Sequence, residues 1–146
     1  MLAVLVVLCA VFVGAGAAAL SPKQYKAQLA AIATESNSKQ AIIQKGLQAK
    51  TVPVLVAALK QFAASQDKLG AEVAALKPPA NAAAANAQLA KGLHDIASAV
   101  REVEGKVKGV KTVKQATTIL DKDTSGVKAG QEVDAALAAL NKLGYA

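Results

Sequence analysis

Residues 51–79 read TVPVLVAALKQFAASQDKLGAEVAALKPP, and this stretch decides the fold. Apolar side chains return in it with alternating steps of four and three residues, which is the repeat of an α-helix with one buried face. The stripe contains a single polar residue and consists of Leu55, Leu59, Phe62, Gln66, Leu69, Val73 and Leu76. Pro78 and Pro79 end the helix, because proline cannot continue the hydrogen-bond ladder. Thr51 suits the N-cap, so the stretch predicts one amphipathic helix.

The same helical spacing continues on both sides of this stretch. Before it, Ser21 suits an N-cap with Gln24 as its capping-box partner, which predicts a helix over residues 22–49. After it, a third apolar stripe runs over residues 80–110. A fourth runs from about residue 112 to Gly144, a residue type that often ends helices. The polar stretch 121–126 leaves open the alternative that this last segment is two helices.

The composition of the 146-residue chain also favours helices. Alanine accounts for 35 residues, and only 3% are aromatic. Because the β-branched and aromatic residues that build sheets are scarce, sheet-based folds are disfavoured. Very short connections force neighbouring helices to run antiparallel. We therefore predict an all-α fold, an up-down-up-down four-helix bundle over residues 20–146.

The N-terminus has the pattern of a secretory signal peptide. Residues 2–13 are an unbroken apolar run, and the small residues that follow offer A-x-A-like cleavage sites. We predict a signal peptide over residues 1–19 with cleavage after Ala19, and cleavage after Ala17 is the alternative. The protein would then be secreted, periplasmic or in the cell envelope. Retention of the segment as a membrane anchor is the other interpretation, and only then would the chain contact the membrane.

Residues suited to catalysis are scarce. One histidine, one cysteine and no tryptophan leave little material for a catalytic triad or a zinc site. Ferritin-like di-iron sites need a glutamate three residues before the histidine. Lys91 occupies that position before His94, so a di-iron site is not predicted. His94 is expected to face solvent or to lie at the rim of the helix interface. We predict no enzymatic activity.

Residues 121–132, DKDTSGVKAGQE, resemble an EF-hand calcium loop. Gly126 would allow the sharp turn. The ligands would be side-chain oxygens and one backbone carbonyl, from Asp121, Asp123, Ser125, Val127 and Glu132. Lys128 stands where such loops have an apolar residue, which counts against calcium. The alternative is a polar turn in which Thr124 or Ser125 caps the last helix.

Positive charge is the stronger functional signal, since the net charge is +7. In an alternating bundle the junctions near Thr51 and Lys111 lie at the same end. This end, which we call the lysine pole, gathers Lys45, Lys50, Lys106, Lys108, Lys111 and Lys114. It predicts attraction to anionic polymers of the cell envelope, weakened by salt. A merely solvated face is the alternative.

Two further binding modes concern nucleic acid and lipids. Arg101 is the only arginine among 17 basic residues, so sequence-specific binding of nucleic acid is not predicted. Amphipathic helices also bind lipids or other hydrophobic surfaces when a bundle opens. Lipid binding is therefore a third functional hypothesis, beside envelope-polymer binding and calcium binding, although the abundance of alanine, which offers little apolar area per residue, argues against strong lipid affinity.

The helix end ALKPPA at 75–80 and the tail DAALAALNKLGY at 134–145 accompany the export pattern. With these features the chain resembles small exported helical-bundle proteins of high-GC bacteria. The resemblance implies an all-α fold and export, and it brings no activity and no site residues with it.

Overall fold

A computed structural model describes residues 18–146, with side chains at all of these positions except 36 and 38–47. This part of the chain is helical and contains no strand, which confirms the all-α prediction. A short 3₁₀ turn, Ala80–Ala82, precedes the third helix. The five helices are α1 (Pro22–Leu47), α2 (Val52–Ala75), α3 (Ala83–Lys108), α4 (Val113–Lys122) and α5 (Ser125–Lys142).

Local signals set most helix boundaries. At α1, the Ser21 backbone N–H donates to Gln24 Oε1 over 3.0 Å, and the Gln24 backbone N–H donates to Ser21 Oγ over 3.4 Å. This confirms the predicted capping box. At the other end of the chain, Gly144 has a φ of 81°. Glycine adopts this left-handed conformation without steric strain, and the turn ends α5 as predicted.

The fourth predicted helix is two helices, α4 and α5. Asp123 has extended backbone and its Oδ1 accepts a 2.9 Å hydrogen bond from the Ser125 backbone N–H. This local side-chain bond competes with helix continuation. Two residues, Asp123 and Thr124, therefore separate α4 from α5, and five helices replace the four predicted.

The four long helices alternate in direction. The α1–α2 pair is fixed at one end by a 2.7 Å bond from the Leu20 N–H to the Lys77 carbonyl. Helices α2 and α3 form the most extensive contact and run antiparallel. Helix α5 packs antiparallel on α3, and α4 packs on α3 and α2.

The core divides into two clusters at opposite ends of the α2–α3 pair. One surrounds Tyr25 and Leu140, and the other surrounds Leu55 and Val107 beside α4. Several residues of the first cluster, among them Leu29, Val73 and Leu89, also line the site described below.

The predicted signal peptide lies almost wholly outside the described residues, which begin at Ala18. Over residues 18–146, no helix has both the length and the apolar character needed to cross a membrane.

Candidate functional site

An apolar cleft of about 670 Å³ lies between α1 and α5, with α2 and α3 forming its floor. Its larger apolar side chains come from all four helices and are Leu29, Ile32, Phe62, Leu69, Val73, Leu89, Leu93, Ile96, Val133 and Leu137. Two of them keep much of their surface accessible: Phe62 is half-buried, and Leu137 is 41% exposed. The cleft is therefore an accessible hydrophobic surface between the helices.

The cleft lies between α1 and α5 because α5 packs on α3 and α1 packs on α2. A Cβ atom at Gly92 would lie 2.7 Å from Val133 Cγ2 and 3.3 Å from the Val133 backbone nitrogen. The absence of a side chain at Gly92 thus permits close packing of α5 on α3. On the other side, Lys68 of α2 pairs with Glu35 of α1 at 2.9 Å.

Helix α1 and the C-terminal turn that follows α5 meet near one end of the cleft. The Tyr25 and Tyr145 rings pack edge to face with centroids 5.1 Å apart. Lys26 Nζ donates a 2.9 Å hydrogen bond to the Gly144 carbonyl. Burial raises the pKa of the Tyr25 hydroxyl, with a further rise from Tyr145. These contacts close one end of the cleft and leave its middle open.

Gln66 is a buried residue of the cleft whose side-chain amide has no hydrogen-bond partner among the described residues. Its side chain is only 8% exposed and lines the cleft from α2. Within the described part of the chain it makes no hydrogen bond. No described buried side-chain nitrogen or oxygen is sealed from solvent without a partner, so the Gln66 amide retains access through the cleft.

The hydrogen bonding of Asn86, another buried amide, provides a comparison for Gln66. It is 4% exposed, and its Oδ1 accepts a 2.9 Å hydrogen bond from the Tyr25 hydroxyl. Its Nδ2 donates to the Val73 carbonyl over 3.0 Å. Of the two buried polar residues in the described structure, Asn86 is therefore satisfied internally and Gln66 is not.

Charged groups are confined to the edge of the cleft. Lys26 lies beside the C-terminal turn, and Asp134 lies on α5; both are exposed. The rest of the lining is mainly aliphatic and aromatic, with two amide side chains, the exposed Asn37 and the buried Gln66. This arrangement is typical of sites that bind small, mainly apolar molecules.

The structure places most of the predicted calcium loop in regular helix, since residues 125–132 belong to α5 and Asp121 lies in the last turn of α4. Glu132 Oε2 accepts from Lys91 Nζ of α3 over 3.2 Å. Of the other predicted ligands, Asp123 and Ser125 bond to each other, and Val127 lies on α5. Residues 18–146 contain no group of three acidic, histidine or cysteine side chains placed to hold a metal.

Asp123 has a structural role in this region. Its Oδ2 accepts from Lys106 Nζ over 2.6 Å, and its Oδ1 also accepts from the Ser125 hydroxyl. The Lys106 ion pair and then the Ser125 hydrogen bonds lower the pKa of Asp123 to about 2. The same pair raises the pKa of Lys106. Asp123 thus joins α3 to the α4–α5 turn.

The junctions that define the lysine pole do lie together. Ala49 and Val52 on one side, and Val110 on the other, pack against the same core cluster. Four amines at this end are exposed and have no ion pair in the described structure: Lys50, Lys108, Lys111 and Lys114. Lys106 is paired with Asp123, and the side chain of Lys45 lies outside the described residues.

His94 is a linking residue between helices. Its Nδ1 lies 3.0 Å from Asp67 Oδ1, and Arg101 pairs with the other oxygen of that carboxylate. The Arg101 hydrogen bond, followed by the His94 bond, lowers the pKa of Asp67. Gly70 permits the approach, because a Cβ there would lie 2.9 Å from His94 Nε2. The histidine thus contacts α2, although 46% of its side chain is exposed.

In the sequence, Gln66 is a polar interruption of the α2 stripe, and no functional prediction includes it. The interruption is itself the available signal, since a polar residue on a buried stripe needs either an internal partner or a ligand.

Comparisons with known proteins find no matching family model, no matching curated protein and no matching solved structure.

Proposed function

We propose that this chain is an exported, non-enzymatic binding protein of the cell envelope that holds a mainly apolar small molecule in the cleft. In this proposal α1, α2, α3 and α5 act as a four-helix bundle, with α4 closing one end. The observation that carries it is the 670 Å³ apolar cleft between α1 and α5. It favours the lipid-binding hypothesis among those raised by the sequence.

The size of the cleft indicates what kind of molecule it suits. Small-molecule sites usually occupy about 300–1,000 Å³, and the cleft lies within this range. This size, together with a lining drawn from four helices of one chain, favours a small molecule as the occupant.

The composition of the cleft lining supports ligand binding and offers no argument for catalysis. Aliphatic and aromatic side chains cover most of the wall, while Lys26 and Asp134 lie at its edge. Burial of apolar ligand surface supplies about 25 cal/mol per Å² before the cost of association is subtracted. A cleft of this type holds its ligand mainly by exclusion of water.

A cleft-filling variant tests the proposal. Ala33 is an exposed α1 residue in the cleft wall, and Ala64 is an exposed α2 residue outside the lining. We expect Nile red to bind the wild-type protein saturably and to fluoresce more strongly. Ala33→Trp should abolish this binding, whereas Ala64→Trp should retain it. Absence of saturable binding to wild type, or equal loss in both variants, would reject the cleft as a ligand site.

Export is tested separately by N-terminal sequencing of the protein recovered outside the cytoplasm. The proposal expects a chain that begins at Leu20, or at Ala18 for the alternative cut. The Leu20 backbone nitrogen, which bonds to Lys77, would then be the free amine at the start of the bundle. An intact N-terminus on membrane-bound protein would support the anchor interpretation instead.

The lysine pole carries a second candidate function, the binding of anionic envelope polymers. The supporting observation is the cluster of exposed, unpaired amines at Lys108, Lys111 and Lys114 beside Lys50. Such attraction rests on point charges and falls with salt. It is compatible with ligand binding in the cleft, because the pole lies at the end nearest α4.

Polyphosphate is a suitable probe for this second function. The triple variant with Lys108, Lys111 and Lys114 changed to Gln should lose most low-salt affinity. A double variant at the opposite end, Lys23→Gln with Lys142→Gln, is the control for general charge. If the control loses affinity in proportion to its charge change, the pole has no special role.

A further inference from the structure

The side-chain amide of Gln66 has two N–H donors and one carbonyl acceptor. Burial of an amide without hydrogen bonds is unfavourable. Gln66 is nevertheless 8% exposed and has no bond within residues 18–146. The amide lines the cleft and keeps some contact with solvent, so a molecule that fills the cleft and displaces that solvent would have to bond to it in return.

The surroundings of Gln66 define where the polar group of such a molecule lies. Along α2, Phe62 precedes Gln66 by about one turn and Leu69 follows it by about one turn. Both line the cleft, and Leu93 lines it from α3. A ligand that fills the cleft therefore has apolar parts on both sides of the position facing Gln66.

The chemistry of the partner group follows from charge. A neutral amide cannot neutralise an ion, and burial of an ionised group without an opposite charge is strongly unfavourable. The charged residues of the lining, Lys26 and Asp134, are at the cleft edge. An uncharged carbonyl or hydroxyl group satisfies Gln66 without this penalty.

We infer that the ligand is an apolar molecule with an uncharged carbonyl or hydroxyl group partway along its length, and that Gln66 binds this group. This inference rests on the proposed function of the cleft. Gln66 would act as the specificity-determining residue, while the apolar wall supplies general affinity.

Butyrophenone and n-butylbenzene form a matched pair of probes, because they differ only by a carbonyl in place of a methylene. We expect both to bind the wild-type cleft in NMR titrations. The ketone should shift the side-chain amide resonances of Gln66. Replacement of Gln66 by Leu should lower the preference for the ketone over the hydrocarbon by roughly three- to tenfold, the usual effect of one net hydrogen bond.

Gln61→Leu is the matched control, since Gln61 is an exposed residue of the same helix outside the lining. It should keep the wild-type ratio of the two dissociation constants. If both probes bind and Gln66→Leu leaves the ratio unchanged, the assigned role of Gln66 is wrong while the cleft remains a binding site. If neither probe binds and the wild-type protein also fails to bind Nile red, the proposed function itself fails.

Discussion

The buried hydroxyl of Tyr25 donates a 2.9 Å hydrogen bond to Oδ1 of Asn86, a residue 61 positions later in the chain. Because the Asn86 amide also donates to the carbonyl of Val73, one side chain links α1, α2 and α3. This link lies at the end of the cleft where α1 meets the C-terminal turn. It therefore fixes one wall of the cleft relative to its floor.

Tyr25→Phe should lower the free energy of unfolding by about 1–2 kcal/mol, because it leaves the buried Asn86 oxygen without a donor. Urea denaturation measures the change. Tyr145→Phe is the control, since its hydroxyl bonds over 3.2 Å to Asn81, which is exposed and can bond to water instead. Equal losses in the two variants would show that the Tyr25–Asn86 link is not special.

Gly92→Ala should destabilise the protein, by about 1–3 kcal/mol, through overpacking. The added Cβ would lie 2.7 Å from Val133 Cγ2, so α5 would have to move away from α3. The melting temperature should therefore fall. The cleft should also change shape, which Nile red affinity would report.

Gly105→Ala in the same helix provides the matched comparison. A Cβ at Gly105 would meet nothing within 4 Å, so alanine should raise stability by about 0.5–1 kcal/mol through its better helix propensity. Opposite signs at the two glycines are the expected result. Stabilisation by both substitutions would contradict the close α3–α5 contact at Gly92.

Sequence reasoning predicted the helices well where their signals were local. The Ser21–Gln24 capping box, the Pro78–Pro79 stop and the Gly144 terminus all act within a few residues. The break at Asp123 was expected only as an alternative. Whether the helix breaks at Asp123 depends in part on Lys106 of α3, which is distant in sequence and pairs with Asp123.

The cleft was not predictable from the same patterns. Periodicity identifies which side chains face inward, but it does not state how closely each pair of helices approaches. Here Gly92 lets α5 pack closely on α3, and α1 packs on α2. Residues that read as ordinary core positions, such as Phe62 and Leu93, consequently line an accessible cleft.

Asp123 should contribute to stability in a pH-dependent way. Folding lowers its pKa from 3.8 to about 2, chiefly through Lys106 and then Ser125. The ionised carboxylate therefore stabilises the folded protein above pH 3.8, and this contribution is lost as the pH falls toward 2. Asp123→Asn should lower the melting temperature near neutral pH and have progressively less effect in acid.

Thermal melts across this pH range, with wild type and variant side by side, measure that difference. Asp121→Asn is the control, because Asp121 is an exposed neighbour without an ion pair in the described structure. It should follow the wild-type curve. A constant gap between wild type and Asp123→Asn down to pH about 2 would exclude the Lys106 pair as its cause.

Calcium should leave the melting temperature unchanged. Glu132 lies on α5 and pairs with Lys91, and Asp123 pairs with Lys106, so two of the carboxylates needed for coordination are engaged apart from each other. A ligand that binds only the folded state would raise stability with concentration. A saturable, calcium-specific rise that Asp121→Ala removes would show that this region rearranges into the loop predicted from the sequence.

Gln66→Leu should raise the free energy of unfolding of the ligand-free protein by about 0.5–1 kcal/mol. Leucine would add apolar contacts in the cleft and remove a buried amide that has no partner in the described structure. Urea denaturation without ligand measures the gain, and Gln61→Leu should change stability by less. Residues kept at a cost to stability are often those that a binding site requires. A loss of stability in Gln66→Leu would instead mean that the amide supports the fold, and the argument for a ligand contact at Gln66 would lose its basis.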